Sequence, residues 1–320
     1  NERLERARCI AAEAEVALAS RDLSGLTPSL EEARRTFEAM GDHENGLHTA
    51  LIMIRQQLLL GHLLKASQAL NMLNMAAAPA MLVARGELVA FEIALRRIRT
   101  LPARAALARA RIAAAQSGIA PLCAEVERAE RTLELPAARL ITKGEERPLL
   151  IAEVETLLKS EHLIVDACRR AARANGFEVR LARRPVLFAL LRALAEAWPG
   201  DASRERLCER AFRARHINES HRVRLRVELG RLRKGLRAFA EVRATSAGFV
   251  LVSHAGKVLL LAPPIESADA AILALMADGE AWSTSALALA LGLSQRTVQR
   301  LLIDLETSDK VRALGHGRVR

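Results

Sequence analysis

The sequence predicts a mainly α-helical protein with small β elements, and three observations support that prediction. Ala, Leu and Arg, which favour helices, dominate a 320-residue chain that is 51% hydrophobic and 27% charged. The first 135 residues read as one amphipathic helix after another. Strand-like alternation is confined to short stretches between residues 161 and 262. At this length the chain can hold two or three domains, each with its own core.

Several classes of protein are disfavoured by composition. The sequence has neither an apolar run long enough to cross a bilayer nor a secretory signal, so a cytoplasmic protein without membrane partners is expected. The start inside a helix at Asn1, without an initiator Met, and the ending "GHGRVR" favour a fragment of a longer protein. The four cysteines lie roughly forty or more residues apart without His at ligand spacing, so no metal, disulfide or cofactor is expected.

An internal repeat organises residues 1–135. Stretches 30–42 and 64–76 align at an offset of about 33 residues, with an apolar helix between them that ends near Gly61. Three pairs of positions match: Ala33 and Ala66, Phe37 and Leu70, Met40 and Leu73. Small residues facing bulky ones, with Gly at the turn, resemble the tetratricopeptide repeat (TPR), which implies TPR-like stacked hairpins with a concave binding surface. An unrelated helical bundle is the alternative. Pro136 and "TKGEERP" then predict a linker or connecting helix over 136–160.

The net charge of +11 is concentrated in one part of the chain. Residues 161–250 carry 20 Arg and Lys against 10 Asp and Glu, whereas residues 1–160 sum to +1 and residues 251–320 to zero. Such a concentration is typical of a surface that meets phosphates, because each cation placed on a phosphate releases a counterion. A solvated charged face is the alternative, and the geometry of the basic run decides between them.

The middle segment has the order strands, three helices and a hairpin, which is the order of a winged helix. The patterns "HLIVDAC" and "GFEVRLA" predict strands around an Asn-Gly turn. A helix over 184–197 has Pro at its start, and Asp201 or Ser203 caps a second helix over 201–212. The basic stretch follows, and two short strands then bend at "SAG" within 240–252.

Three stretches of this segment resemble the DNA-binding effector domain of the OmpR/PhoB response regulators and the related antibiotic regulatory activators: "RPVLFALLRALAEAWPGDASRERLCERAF", "VELGRLRKGL" and "VRATSAGFVL". The resemblance covers about ninety residues within 161–262 and implies a winged-helix domain that binds double-stranded DNA. Gly230 departs from the family pattern, in which a polar or basic residue is common. Thr245, Ser246 and Ala247 replace the usual Arg-Gly segment of the wing. Both departures concern particular base contacts and leave the expected fold unchanged.

The basic stretch 221–237 carries six Arg and one Lys against the single acid Glu228. On a helix its leucines form one stripe that must be buried: Leu225, Leu229, Leu232 and Leu236. The opposite face, called here the central face, holds Val223, Val227, Gly230 and Lys234. One flank holds Arg222, Arg226, Arg233 and Arg237, and the other holds Arg224 and Arg231. A solvated helix would instead intersperse acids for pairing at i to i+4.

These positions suit a helix in the DNA major groove, with flanks at the phosphate walls and the central face at base edges. We expect Val223 and Val227 to touch thymine methyl groups. Arg226 or Arg231 would make the forked contact to guanine, and the family resemblance favours Arg231.

Three further positions complete the expected interface. Gly230 costs about 1 kcal/mol of helix propensity relative to Ala, which indicates either close approach of the backbone to DNA or a packing requirement. The family resemblance implies that Thr245 and Ser246, in the wing at 241–252, contact phosphates or the minor groove.

A second helix-turn-helix pattern lies in residues 263–320. The stretch 283–306 has Gly292 at the turn and Ser294 as a helix cap, and it resembles the winged helices of many bacterial repressors, with "DKVRALGHGRVR" as wing. Five side chains are then expected to be exposed towards bases or phosphates: Gln295, Arg296, Thr297, Gln299 and Arg300. Docking to a protein is the alternative role for this module.

Two functions remain after these exclusions. The first is a transcriptional regulator that binds double-stranded DNA, whose helical repeats sense a signal or hold RNA polymerase, a peptide or another protein; a homodimer is left open. The second is an adaptor whose winged helices dock proteins. An enzyme is not expected, because the chain has no Gly-rich phosphate loop, no G-x-S-x-G, no metal-ligand spacing and no Tyr.

Overall fold

A computed structural model describes residues 2–23, 26–212, 216–264, 270–276 and 281–313. The structure is mainly helical with small sheets, as the sequence predicts. The chain forms two compact units. The first unit combines Asn1–Thr132 with Ser267–Arg320, and the second unit is Leu133–Glu266.

The N-terminal part of the first unit is an array of helices in which each packs against the next. Their bounds are α1 (Glu2–Ala19), α2 (Leu26–Ala39), α3 (His43–Leu59), α4 (Leu63–Met72), α5 (Ala80–Arg96), α6 (Thr100–Ser117) and α7 (Ala120–Thr132). Helix α3 also packs against α1 and α5, so alternate helices form one layer. Short connections between antiparallel neighbours produce this stacking.

Both residues are buried in one of the three predicted pairs, Ala33 and Ala66, whereas Leu70 and Leu73 of the other two pairs are half-buried. Ala33, Ala66 and Phe37 lie in the core, where the small Ala side chains let neighbouring helices approach closely. Met40 is exposed because α2 ends one residue earlier. Gly61 follows the end of α3 with a φ of +79°, a backbone conformation that favours glycine.

The second unit contains two sheets and the helices between their strands. Its strands are β1 (Ala138–Thr142), β2 (Glu145–Leu149), β3 (Leu163–Asp166), β4 (Ala171–Ala174), β5 (Phe177–Arg180), β6 (Ala202–Ser203), β7 (Ala240–Ala244), β8 (Gly248–Ser253) and β9 (Val258–Ala262). Its helices are α8 (Ile151–Leu158), α9 (Pro185–Ala197), α10 (Arg204–Phe212) and α11 (Glu219–Leu236). The larger sheet has the order β2-β1-β9-β3-β4-β5, and only its β3–β9 pair is parallel among the described strands. The smaller sheet, β6-β8-β7, is antiparallel.

The segment 136–160, predicted as a linker or connecting helix, contains a helix and also a β-hairpin. It forms the hairpin β1–β2 followed by α8, and it belongs to the second unit. The polar residues that suggested a linker lie in the hairpin turn at Lys143 and Gly144 and in the exposed edge strand β2. Strand β2 shows no alternation of apolar and polar residues, because an exposed edge strand needs few apolar residues.

One apolar cluster holds α9, α10, α11 and the strands of the second unit together. The leucine stripe of α11 enters this cluster, as predicted: Leu225, Leu229, Leu232 and Leu236 are all buried. Burying each leucine contributes about 2 kcal/mol. The stripe therefore fixes α11 in rotation, with its opposite face outward.

The C-terminal residues of the first unit form three further helices. These are α12 (Ala270–Leu275), α13 (Thr284–Leu291) and α14 (Gln295–Thr307), which share a small core that includes Leu287 and Val298. Ala286 of α13 is fully buried among apolar residues of α1–α3: Ala14, Leu18, Leu23, Leu30, Ile52 and Leu59. The Arg21 guanidinium lies 5.6 Å from the ring centroid of Trp282. Residues 263–320, predicted as a separate domain, thus have a small core of their own and also contact the N-terminal helices through Trp282 and Ala286.

Candidate nucleic-acid interface

Helix α11 begins with a side-chain cap. Asn218 Oδ1 accepts a hydrogen bond from the His221 backbone N–H at 3.1 Å, and His221 Nδ1 accepts one from the Asn218 N–H at 3.3 Å. This reciprocal arrangement satisfies N–H groups that have no partner within the helix. The cap and the buried leucine stripe together position the basic helix.

The central face of α11 is exposed. The exposed fractions are 51% for Val223 and 49% for Val227, and Lys234 is exposed beside them. Around Gly230, no atom of the described chain beyond the helix's own backbone lies within 4 Å of where a Cβ would be. No packing contact among the described residues therefore requires glycine at this position.

One flank of α11 faces the β7–β8 hairpin. The Arg233 Nε donates to the Val242 carbonyl at 2.7 Å, and its guanidinium lies 5.8 Å from the Phe249 ring centroid. Arg222 lies 3.6 Å from Glu219. Arg226 and Arg237 are exposed and form no ion pair with any residue the structure describes. This flank thus joins the helix to the hairpin while keeping its guanidinium groups at the surface.

The other flank faces the end of α10 and the start of α9. The Arg224 guanidinium lies 4.6 Å from the ring centroid of Phe212, at the end of α10. Arg231 Nη1 donates to Glu228 Oε1 at 2.9 Å. Arg231 and Glu228 also line a cleft against the first residues of α9. The two flanks have different neighbours: the hairpin lies beside Arg233, and α10 and α9 lie beside Arg224 and Arg231.

The tip of the β7–β8 hairpin is tied to the start of α10. Thr245 Oγ1 donates to Asp201 Oδ2 at 2.7 Å and accepts from the Gly248 N–H at 3.0 Å. Its hydroxyl proton is therefore used within the chain, and the expected contact of Thr245 with phosphates or the minor groove stays a prediction. Ser246 is exposed, as expected. Ser203 caps α10 by accepting from the Arg206 N–H at 3.1 Å, while Asp201 holds the hairpin.

Sequence reasoning missed the role of Arg204. Its Nη2 donates to the Thr245 carbonyl at 3.0 Å and its Nη1 to the Ser246 carbonyl at 3.2 Å. The partners lie more than forty positions along the chain, so no local pattern could have revealed the pairing. Arg204 and Asp201 together fix the hairpin tip relative to α10.

A second basic cluster, also missed, surrounds Glu196 near the end of α9. Three guanidinium groups share this carboxylate: Arg192 at 2.9 Å, Arg206 at 3.2 Å and Arg210 at 3.3 Å. Because one acid meets three bases, the cluster keeps a positive surplus. This cluster therefore adds positive charge to the second unit outside α11.

The C-terminal helix α14 presents four of its five expected side chains to solvent. Gln295, Arg296, Gln299 and Arg300 are exposed. Thr297 is half-buried rather than exposed, and its Oγ1 lies 2.8 Å from the hydroxyl of the cap residue Ser294. The expected wing of this module lies mostly in 314–320, outside the described residues, and 309–313 contain no strand.

The described residues were also compared with the requirements of a metal site, a membrane span and a reactive thiol. No three His, Cys, Asp or Glu side chains there are grouped as a metal ion would require. None of the helices described combines the length and the apolar character needed to cross a membrane. Burial raises the pKa of the Cys208 thiol, which opposes formation of the reactive thiolate.

The comparisons with known proteins return no match. No family model matches the chain, and no curated protein or solved structure does so either. The function must therefore be inferred from the geometry of the residues themselves.

Proposed function

We propose that the chain is a DNA-binding transcriptional regulator whose second unit is a winged helix. Helix α11 would lie in the major groove, and the β7–β8 hairpin would be the wing. The order β6, α10, α11, β7, β8 after α9, with the small antiparallel sheet, supports this architecture. The resemblance of residues 161–262 to the OmpR/PhoB effector domain supports it independently.

One observation carries the proposal. The leucine stripe of α11 is buried, so the helix must present a face that is apolar along its centre and cationic on both flanks. Within 221–237, six Arg and one Lys stand against one acid. A helix shaped in this way can place cations on the two phosphate walls of a groove and small apolar groups at base edges. An adaptor that docks proteins has no need for this distribution of charge.

The first unit would supply the signal or the partner. Its stacked helices support a TPR-like array that holds a peptide, a small ligand or RNA polymerase. Helix α14 would contact DNA as well, through the side chains of Gln295, Arg296, Gln299 and Arg300. Docking of a protein on α14 is the alternative, because residues 251–320 carry no net charge.

Salt-dependent binding to duplex DNA tests the proposal. Fluorescence anisotropy with a random 30-base-pair duplex should show an affinity that falls at least about a hundredfold between 50 and 200 mM salt, because several phosphate contacts release counterions. The double variant Arg226→Ala/Arg237→Ala should bind more weakly with a smaller salt slope. Arg131→Ala in α7, which removes an exposed charge from the other unit, is the control. If no duplex binds at low salt, the adaptor is the correct function.

A further inference from the structure

A cleft of about 460 Å³ lies between α11 and the start of α9. It is lined by Arg184, Pro185, Val186, Leu187, Glu228 and Arg231. Two of these residues carry guanidinium groups, one at the start of α9 and one on α11. The expected interface did not include Arg184, because it lies outside the basic stretch of α11.

The ion pair between Arg231 and Glu228 turns the arginine towards this cleft. On a helical wheel Arg231 lies about 70° from the middle of the central face, and Glu228 lies about 60° further round in the same direction. The bond of 2.9 Å between them therefore draws the guanidinium away from the face expected to meet base edges.

The two partners differ in exposure. The Glu228 side chain is 13% exposed, whereas that of Arg231 is 63% exposed, so the carboxylate lies inside and the guanidinium outside. A guanidinium has five N–H donors, and this one uses one of them on Glu228. The remaining donors are available to an anion at the mouth of the cleft.

We propose that Arg184 and Arg231 grip one phosphate of the DNA backbone at this cleft, and that Arg231 positions the duplex rather than reading a base. This inference rests on the proposed function and adds a contact from the segment before α9. Guanidinium groups suit this task because their fork of donors matches phosphate oxygens. The arginines on the hairpin side of α11 would then hold one phosphate wall of the groove, and Arg184 with Arg231 the other.

The test compares binding of the full chain to a duplex selected from a random pool and to an unselected duplex of equal length, by anisotropy across a salt series. Arg184→Ala and Arg231→Ala should each weaken binding about tenfold on both duplexes and reduce the salt slope by about 1. Arg180→Ala is the matched control, because its guanidinium pairs with Glu178 at 2.6 Å and does not line the cleft. It should change affinity by less than about twofold.

Glu228 supplies a second, opposite test. Truncating Arg231 alone also removes the ion-pair partner of the Glu228 carboxylate, so Arg231→Ala is also measured together with Glu228→Gln. Glu228→Gln alone should increase the affinity for both duplexes. The substitution weakens the bond that holds one N–H of Arg231, and it removes the only negative charge between His221 and Arg237. Circular dichroism melting checks that each variant folds.

Three outcomes would overturn the inference while leaving DNA binding intact. The first is a loss in Arg231→Ala confined to the selected duplex, which would make Arg231 a base reader. The second is unchanged binding in Arg184→Ala. The third is an equal loss in Arg180→Ala, which would show a general effect of charge. Failure of the unmodified chain to bind any duplex would instead reject the proposed function.

Discussion

Two glycines illustrate how single positions acquire different roles in the second unit. A Cβ at Gly248 would lie 2.1 Å from the Ala202 carbonyl oxygen, so the pairing of β6 with β8 requires glycine there. Gly230 meets no such obstacle, although it lies inside α11 and weakens that helix. The fold explains the first glycine, whereas no contact of the described residues explains the second.

Replacing Gly230 by Ala should therefore separate stability from binding. The free energy of unfolding in urea should rise by about 1 kcal/mol, because Ala favours the helix. The affinity for duplex DNA should fall, because the added methyl group would meet the DNA groove. Urea denaturation and anisotropy on the same preparation measure the two effects. Gly248→Ala is the contrasting variant, in which folding itself should be impaired. Unchanged or tighter DNA binding by Gly230→Ala would remove the argument for close approach.

At the scale of elements, polar contacts join alternate helices of the first unit. Glu15 of α1 lies 3.1 Å from His48 Nε2 of α3 and pairs with Arg85 of α5. The hydrogen bond from His48, with the charge of Arg85, lowers the pKa of Glu15 to about 2. Three helices far apart in sequence are thus joined by one carboxylate, and its protonation should loosen their layer.

Acid should consequently destabilise the first unit through Glu15. Its pKa is about 2 in the folded chain against an ordinary value of 4.5, so its contribution to stability is present above about pH 4.5 and is lost as pH falls towards 2. Urea denaturation at pH 5.5 and 3.5 should show a smaller decline for Glu15→Gln than for the unmodified chain. Glu13→Gln, an exposed change on the same helix, is the control. An equal decline in all three would contradict the assignment.

At the scale of the whole molecule, the two ends of the chain build one unit. Helices α12–α14 share apolar contacts with α1–α3 through Trp282 and Ala286, and residues 133–266 form the other unit between them in sequence. The C-terminal helices therefore have a core of their own and a further apolar contact with the N-terminal helices.

Trp282→Ala should test that shared core. Removing the indole should destabilise the first unit by about 2–4 kcal/mol and should raise hydrogen exchange in α1–α3 as well as in α13. Leu289→Ala, at an exposed position of α13, is the matched control. Faster exchange restricted to α12–α14 would show that these helices are a separate domain after all.

The sequence by itself determined the local features of this protein. The leucine spacing of 221–237 predicted which side of α11 is buried, Pro185 marked the start of α9, and Ser294 marked the start of α14. These features depend on residues within one or two turns of each other, so their spacing along the chain is sufficient evidence.

Only the tertiary structure decided the features that join distant residues. Four features depend on partners far along the chain. They are the strands in 136–149, the hydrogen bonds of Asp201 and Arg204 to the hairpin tip, the cleft at Arg184 and the burial of Ala286 against α1–α3. Local periodicity does not specify such partners, because the free energy of these contacts arises only once the chain has brought the two surfaces together.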